Sequence, residues 1–277
     1  MGVLRHIWRF LFWCYLQKKR NFNVLKTLSL NFKYLPLSRA LRFPVFVYGP
    51  LQIDDDGGKI EILVPTKELK AGMIKVGIDF DLFSPVNNGT RLQLGGLIRF
   101  HGPFKSALNV VLGACKRSSI IEFGACVCIG SNCCVRAYKS IKIGEYTDIA
   151  NNCKIYDTDF HPFRNIETGK VSQFTKEVLI GKCVFIAMGS CIFKGCILPD
   201  YSLVAAHSIL NKNYSGPAIP PFIAGVPAVV CGVSSLRLVE KDLEIDVTTH
   251  FENSSKIIIL HKGEPIDFEG KIGSFLS

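Results

Sequence analysis

The chain has 277 residues, 48% of them hydrophobic and 20% charged, which excludes a disordered polypeptide and leaves room for a sizeable core. A formal net charge of +10 points to an anionic partner, whether nucleic acid, phospholipid head groups or a phosphate-rich cofactor, and does not choose among them. Eleven cysteines without a CxxC pair, two of them adjacent at Cys133 and Cys134, suit neither a zinc site nor a disulfide framework. They read as reduced, small, buried apolar residues in a reducing compartment.

Residues 1–20, "MGVLRHIWRFLFWCYLQKKR", carry an apolar run from Ile7 to Leu16 that Arg9 interrupts. The run is about half of the ~20 residues a bilayer span needs, and no small-residue cleavage site follows it. Aromatics beside Lys18, Lys19 and Arg20 suit a helix lying in a membrane interface, or else an amphipathic helix packed on the protein itself. Residues 21–50 read as one or two short helices or a connecting arm, and the N-terminal unit as a whole is assigned to 1–45.

A six-residue period dominates the middle of the chain. Apolar residues recur at Phe123, Ile129 and Val135, slip by two, and continue at Ile143, Ile149 and Ile155. They resume at Ile180, Ile186, Ile192, Leu198, Val204 and Leu210, with Val184, Ser190, Cys196, Ser202 and Ser208 four positions after the first five. Six is a multiple of the strand period of 2 and not of the helical 3.6. Short strands separated by tight turns satisfy it, three hexads making one turn of a parallel solenoid whose coils stack their aliphatic residues. Cys126, Cys133, Cys153, Cys183, Cys191 and Cys196 then fill a narrow interior.

The period breaks at "YDTDFHPF", residues 156–163. Counting six from Ile155 lands on His161, and the polar stretch 161–179, with Pro162 and Gly169, reads as a loop leaving the solenoid. A loop of this length in a compact solenoid is a candidate site, and a partly neutral imidazole at its head can accept a proton near physiological pH. Asp157 and Asp159 can bind hydroxyl groups, orient the histidine or cap a turn. Asn152 can contact a bound substrate or simply occupy a left-handed turn.

The stretches Ile129-Gly130-Ser131, Ile143-Gly144-Glu145 and Ile180-Gly181-Lys182, the run "FIAMGSCIFKGCILPDYSLVAAHSILNK" and "IAGVPAVV" at 223–230 resemble the hexapeptide-repeat acyltransferases. "DTDFHPF" is similar to the subgroup that acetylates sugars of surface polysaccharides. The resemblance is strong over about 95–232. It implies an all-β, left-handed parallel β-helix over 46–232, a handedness that the period alone does not give, with 233–277 as a C-terminal extension. It further implies an acetyl-coenzyme A-dependent O-acetyltransferase of cell-surface polysaccharide or lipopolysaccharide synthesis, with His161 as catalytic base and direct attack on the thioester. Asn152, Asp157 and Asp159 would bind the acceptor. Phe185, Ala187, Met188, Gly189, Ala205, Ala206 and Lys212 would bind the coenzyme. Relatives often carry Trp at the place of Phe185 and Gly at that of His207, whose ring is expected to point outward.

The assembly implied is a homotrimer with each site between neighbours, cytoplasmic or at the inner membrane face, touching the membrane through residues 1–20. Other readings are an N-acyltransferase acting on an amino sugar and a non-catalytic β-solenoid. The metal-dependent enzymes of this fold need two close histidines, whereas His101, His161 and His207 are far apart in sequence, so no metal is expected. No nucleic acid is expected either, because the basic residues do not cluster with stacking aromatics beyond the N-terminal segment.

Overall fold

The computed structural model describes residues 21–79, 86–216, 220–233 and 247–252. The hexads form short strands in three parallel sheets, visited in turn by each coil of the chain. Sheet I contains Val45–Val47, Ile74–Val76, Phe104–Ser106, Val127–Ile129, Asp148–Ile149, Phe185–Ile186, Leu203–Val204 and Pro221–Gly225. Sheet II runs from Leu51–Asp55 to Ile209–Leu210, and sheet III from Lys59–Ile62 to Ile197–Leu198. Seven coils stack in this way, and the antiparallel strand Ala228–Val233 ends sheet I.

The predicted aliphatic columns are the register of the sheets. Ile129, Ile149, Ile186, Val204 and Ile223 are successive partners in sheet I. Val135, Ile155, Ile192 and Leu210 are partners in sheet II, and Ile143, Ile180 and Leu198 in sheet III. All are buried. Period 2 leaves one face of each short strand inside and one outside. The residues at +4, Val184, Ser190, Cys196, Ser202 and Ser208, are buried too. Their hydroxyls find turn carbonyls: Ser190 and Ser208 donate to Ala205 at 3.0 and 2.8 Å, and Ser202 to Pro199 at 2.6 Å.

Five of the six interior cysteines expected are buried, and the sixth is not among them. Cys191 alternates with Ile192 and so faces out of sheet II, half-buried. Burial pushes the Cys196 thiol up to about 12 and the Cys126 thiol to about 11, which keeps both protonated.

The open start of the solenoid is capped by the helix Val24–Tyr34 and the short helix Leu37–Ala40. Asn23 begins the first helix by accepting from the Lys26 amide at 3.0 Å. Leu30 enters the end of the solenoid core. Thr27 and Asn31, one turn apart, satisfy the free edge of sheet I: Val47 N–H donates to Thr27 Oγ1, and Asn31 exchanges two bonds with Val45. Side chains thus replace a missing strand, which removes a pairing edge. The far end is closed by the hairpin 221–233, with the buried Tyr214 donating its hydroxyl to Ala228. Residues 1–20, and most of 233–277, lie outside the described residues.

Candidate active site

The sheets meet at three edges, and each expected site residue lies on or beside one of them. At the edge between sheets I and II, turns of successive coils stack Asn109, Asn132, Asn152, Gly189 and His207, all with φ between 56° and 71°. The asparagines form a ladder: Asn109 donates to Asn132 at 3.0 Å and Asn132 to Asn152 at 3.3 Å. Asn tolerates the left-handed backbone that these turns require, which accounts for its recurrence. Asn152 therefore belongs to the turn architecture of this edge.

Ala187, Met188 and Gly189 form the next turn of the same edge, and Ala205, Ala206 and His207 the one after. Ala187 and Ala205 donate to Val204 and Ile223 in the neighbouring coils. The amides of Met188 and Ala206 have no hydrogen-bond partner among the described residues. His207 does not point away, contrary to the expectation. A Cβ added at Gly189 would collide with its ring, so the imidazole lies across that glycine, between the two turns. Phe185 stands on the outer face of sheet I between Asp148 and Leu203.

The excursion leaves from the edge between sheets II and III. It starts after the strand Lys154–Tyr156 and ends at Val178–Ile180, occupying 157–177 in place of the expected 161–179. Val178 sits two residues before Ile180, faces inward and pairs with Ile141, so the repeat resumes there. The two-residue slip before Ile143 falls at the same edge, one coil earlier, at Tyr138 and Lys139. Asp157 holds that widened turn. Its carboxylate accepts from the amides of Tyr138 (2.7 Å), Lys139 (2.7 Å) and Ser140 (2.6 Å). It is fully buried. This corrects the acceptor-binding reading of Asp157, since no oxygen remains open to a sugar. Burial pushes its carboxyl above the ordinary value, against the pull of the amides.

Asp159 pairs with Lys194, which also donates to the Gln173 carbonyl at 2.8 Å and so fastens both arms of the excursion to the next coil. Phe160 packs on Tyr138 and Tyr156 with ring centroids 5.6 and 5.3 Å away. This clamp of Lys194 and aromatic rings escaped the sequence reading, because Tyr156 is in register with Arg136 and Tyr138 falls two places further on, in the wide turn. His161 follows immediately. It is exposed, and its ring has no hydrogen-bond partner among the described residues. Lys212 also falls on this edge, in the last coil, with its ammonium 5.5 Å from the Tyr214 ring centroid. The structure thus separates it from Ala187 and Ala205.

One chain therefore places the imidazole and the open amides on different edges, with sheet II between them. Lys194 is five positions beyond Gly189, so the edges are roughly 16 Å apart at ~3.3 Å per residue. The remaining edge, between sheets III and I, has a concavity of about 510 Å³ lined by Glu122, Lys142, Gly144 and Lys182. Glu122 pairs there with Arg99 at 3.2 Å, His101 at 3.1 Å and Lys142 at 3.8 Å, and neither His161 nor the open amides line it. Among the described residues no cluster of His, Cys, Asp or Glu could hold a metal ion.

No protein-family model matches the chain, and no curated protein matches it. Solved structures do. The polySia-specific acetyltransferase NeuO superposes with a TM-score of 0.50 at 19% identity, covering 77% of this chain and 95% of its own. The polysialic acid O-acetyltransferase OatWY gives 0.40 at 18% identity over 73% and 95%. A hexapeptide-repeat acetyltransferase of Vibrio cholerae O1 biovar eltor, complexed with acetyl coenzyme A, gives 0.34 at 18% over 60% and 72%. The likeness to NeuO establishes the fold, a left-handed parallel β-helix of the hexapeptide-repeat kind.

Proposed function

We propose that the protein is an acetyl-coenzyme A-dependent O-acetyltransferase acting on a sugar hydroxyl, in the synthesis of a cell-surface polysaccharide or lipopolysaccharide. The observation that carries this reading is the placement of His161. The long excursion from the II–III edge carries an imidazole that is exposed and has no ring partner among the described residues, and it stands beside the clamp that Lys194, Asp159 and Phe160 make at the stem. NeuO, whose fold this chain shares, is a polySia-specific acetyltransferase, which supports the same reading.

In the mechanism, a ring nitrogen of His161 takes the proton of the acceptor hydroxyl as its oxygen attacks the thioester carbonyl. The tetrahedral intermediate collapses with loss of the coenzyme thiolate, which the histidine can reprotonate. No covalent enzyme intermediate is needed. The amides of Met188 and Ala206 would hold the pantetheine arm, with Phe185, Ala187, Gly189 and Ala205 lining its path and Lys212 meeting phosphate. Asp159 acts through the clamp. Since these groups lie on two edges of one solenoid, the site is completed by a neighbouring copy, as in a homotrimer whose excursions reach across. Phe163, Ile166 and Val171, exposed on the excursion, support such a contact. The cytoplasm, at the inner membrane face, is the compartment where this donor and reduced cysteines occur together.

Calorimetric titration of coenzyme A and acetyl-coenzyme A into wild type and His161→Ala, followed by thiol-release assays with a panel of sugars, tests the reading. Binding by both proteins, with turnover by wild type alone, is the expected result. Absence of binding by both would sink it.

A further inference from the structure

The net charge of the chain is concentrated at one end. Residues 1–53 contain nine of the 33 lysines and arginines and none of the 23 acidic residues, so the remainder is close to neutral. Four of the nine, Lys26, Lys33, Arg39 and Arg42, lie in the described part of that segment, on the helices that cap the solenoid and the turn that follows them. The inner face of this cap is accounted for by Thr27, Leu30 and Asn31, yet its outer face is also apolar. Leu25 is 79% exposed, Leu37 65%, Phe32 43% and Val24 39%. Leu63 joins them from the first coil, where Arg39 of the second helix grips the carbonyls on either side of it, those of Ile62 and Val64. Lys33 is tied to Asp55 at 2.6 Å, whereas Lys26 and Arg42 have no ion-pair partner among the described residues.

We infer that this capped end is a docking surface for an anionic phospholipid bilayer, lying flat in its interface. The argument is one of complementarity. A soluble polyanion would be met by cations alone, and exposed leucine and phenylalanine beside it would gain nothing. At a lipid surface, aliphatic and aromatic side chains enter the acyl boundary while neighbouring cations remain among the phosphates. The exposed apolar groups of the excursion and of the closing hairpin lie in parts of the chain without this excess of charge. No helix of the described residues is long and apolar enough to cross a membrane. The inference is independent of the acyltransferase reading.

Co-sedimentation of the full chain with vesicles of phosphatidylcholine alone, and with about 30% phosphatidylglycerol added, tests it. The chain should pellet with the anionic vesicles and be released by salt. Leu25→Ser/Phe32→Ser/Leu37→Ser should weaken this binding roughly tenfold or more, because each apolar side chain loses its transfer into the interface. Lys26→Gln/Arg42→Gln should weaken it and flatten its salt dependence. Thermal melts identify a variant that fails to fold, in which case Leu25→Ser alone, at the most exposed position, serves. Equal pelleting with both vesicle types would overturn the inference, as would anionic binding that the apolar substitutions leave unchanged. Binding to dextran sulfate without binding to vesicles would assign the charge to a soluble polyanion and equally overturn it.

Discussion

Replacing Asp157 by Asn separates its structural role from an acceptor-binding one. The carboxylate takes two amides, of Lys139 and Ser140, on Oδ2 and the amide of Tyr138 on Oδ1. An asparagine oxygen can keep the pair, but its NH2 group then faces the Tyr138 N–H, donor against donor. One charge-assisted bond is lost, a donor is left unsatisfied in a buried place, and the surviving bonds weaken without the charge. Together these cost about 2–3 kcal/mol, set against the burial of charge that the substitution relieves. For a domain of this size that is a fall of roughly 5–10 °C in melting temperature. Denaturant titration of Asp157→Asn beside His161→Ala measures it, the latter being exposed and expected to change stability little. If Asp157→Asn is as stable as wild type while its KM for the acceptor rises, the structural assignment is refuted.

Other consequences concern the clamp, the groove, the cap and the thiols. Lys194→Ala should speed tryptic cleavage at Arg164 and Lys170 severalfold while costing less than about 1 kcal/mol, since the Asp159 pair is partly exposed; unchanged cleavage would mean that the clamp does not hold the excursion. His207→Gly removes a ring from beside Gly189 and relieves a left-handed backbone, a gain of about 1 kcal/mol that the added freedom of the unfolded chain largely cancels. Calorimetry should show tighter coenzyme binding at nearly equal stability, and equal affinity would place the ring outside the groove. Lys33 and Tyr34 hold the Asp55 carboxyl down at about 2, so its contribution to the cap is present above the ordinary aspartate value and is lost as pH falls through about 2. Asp55→Asn should abolish that part of the acid dependence in melts taken between pH 5 and 2. Thiol reagents should label the exposed Cys231 in the native protein and Cys196 only on unfolding.

The solenoid was legible because its stabilising contacts are periodic. Ile129, Ile149, Ile186 and Val204 announce their register by spacing alone, and the break at His161 announces an excursion. Features built from contacts between coils were not legible in the same way. Nothing local in "YDTDF" shows that Asp157 reaches back to the amides of Tyr138, Lys139 and Ser140, although the slip of two residues before Ile143 marks where a wide turn needs such a partner. The asparagine ladder could have been found by aligning Asn109, Asn132 and Asn152 on the repeat. The orientation of His207 depends on Gly189 in the coil before, and the split of Lys212 from Ala187 and Ala205 depends on which edge each hexad turns at. Local pattern set the strands, and packing between coils set the site.

The central claim is that His161 of one copy acts on a thioester held by the open amides of the next, and complementation tests it directly. His161→Ala lacks the base, and Ala206→Trp, at an exposed turn, blocks the groove. Each variant alone should be inactive in thiol release. Mixed trimers assembled from equal amounts should recover about a quarter of wild-type activity, because one site in four then joins an intact histidine to an intact groove. If the mixture stays inactive while both variants fold and assemble together, the site does not lie between copies and the account is contradicted.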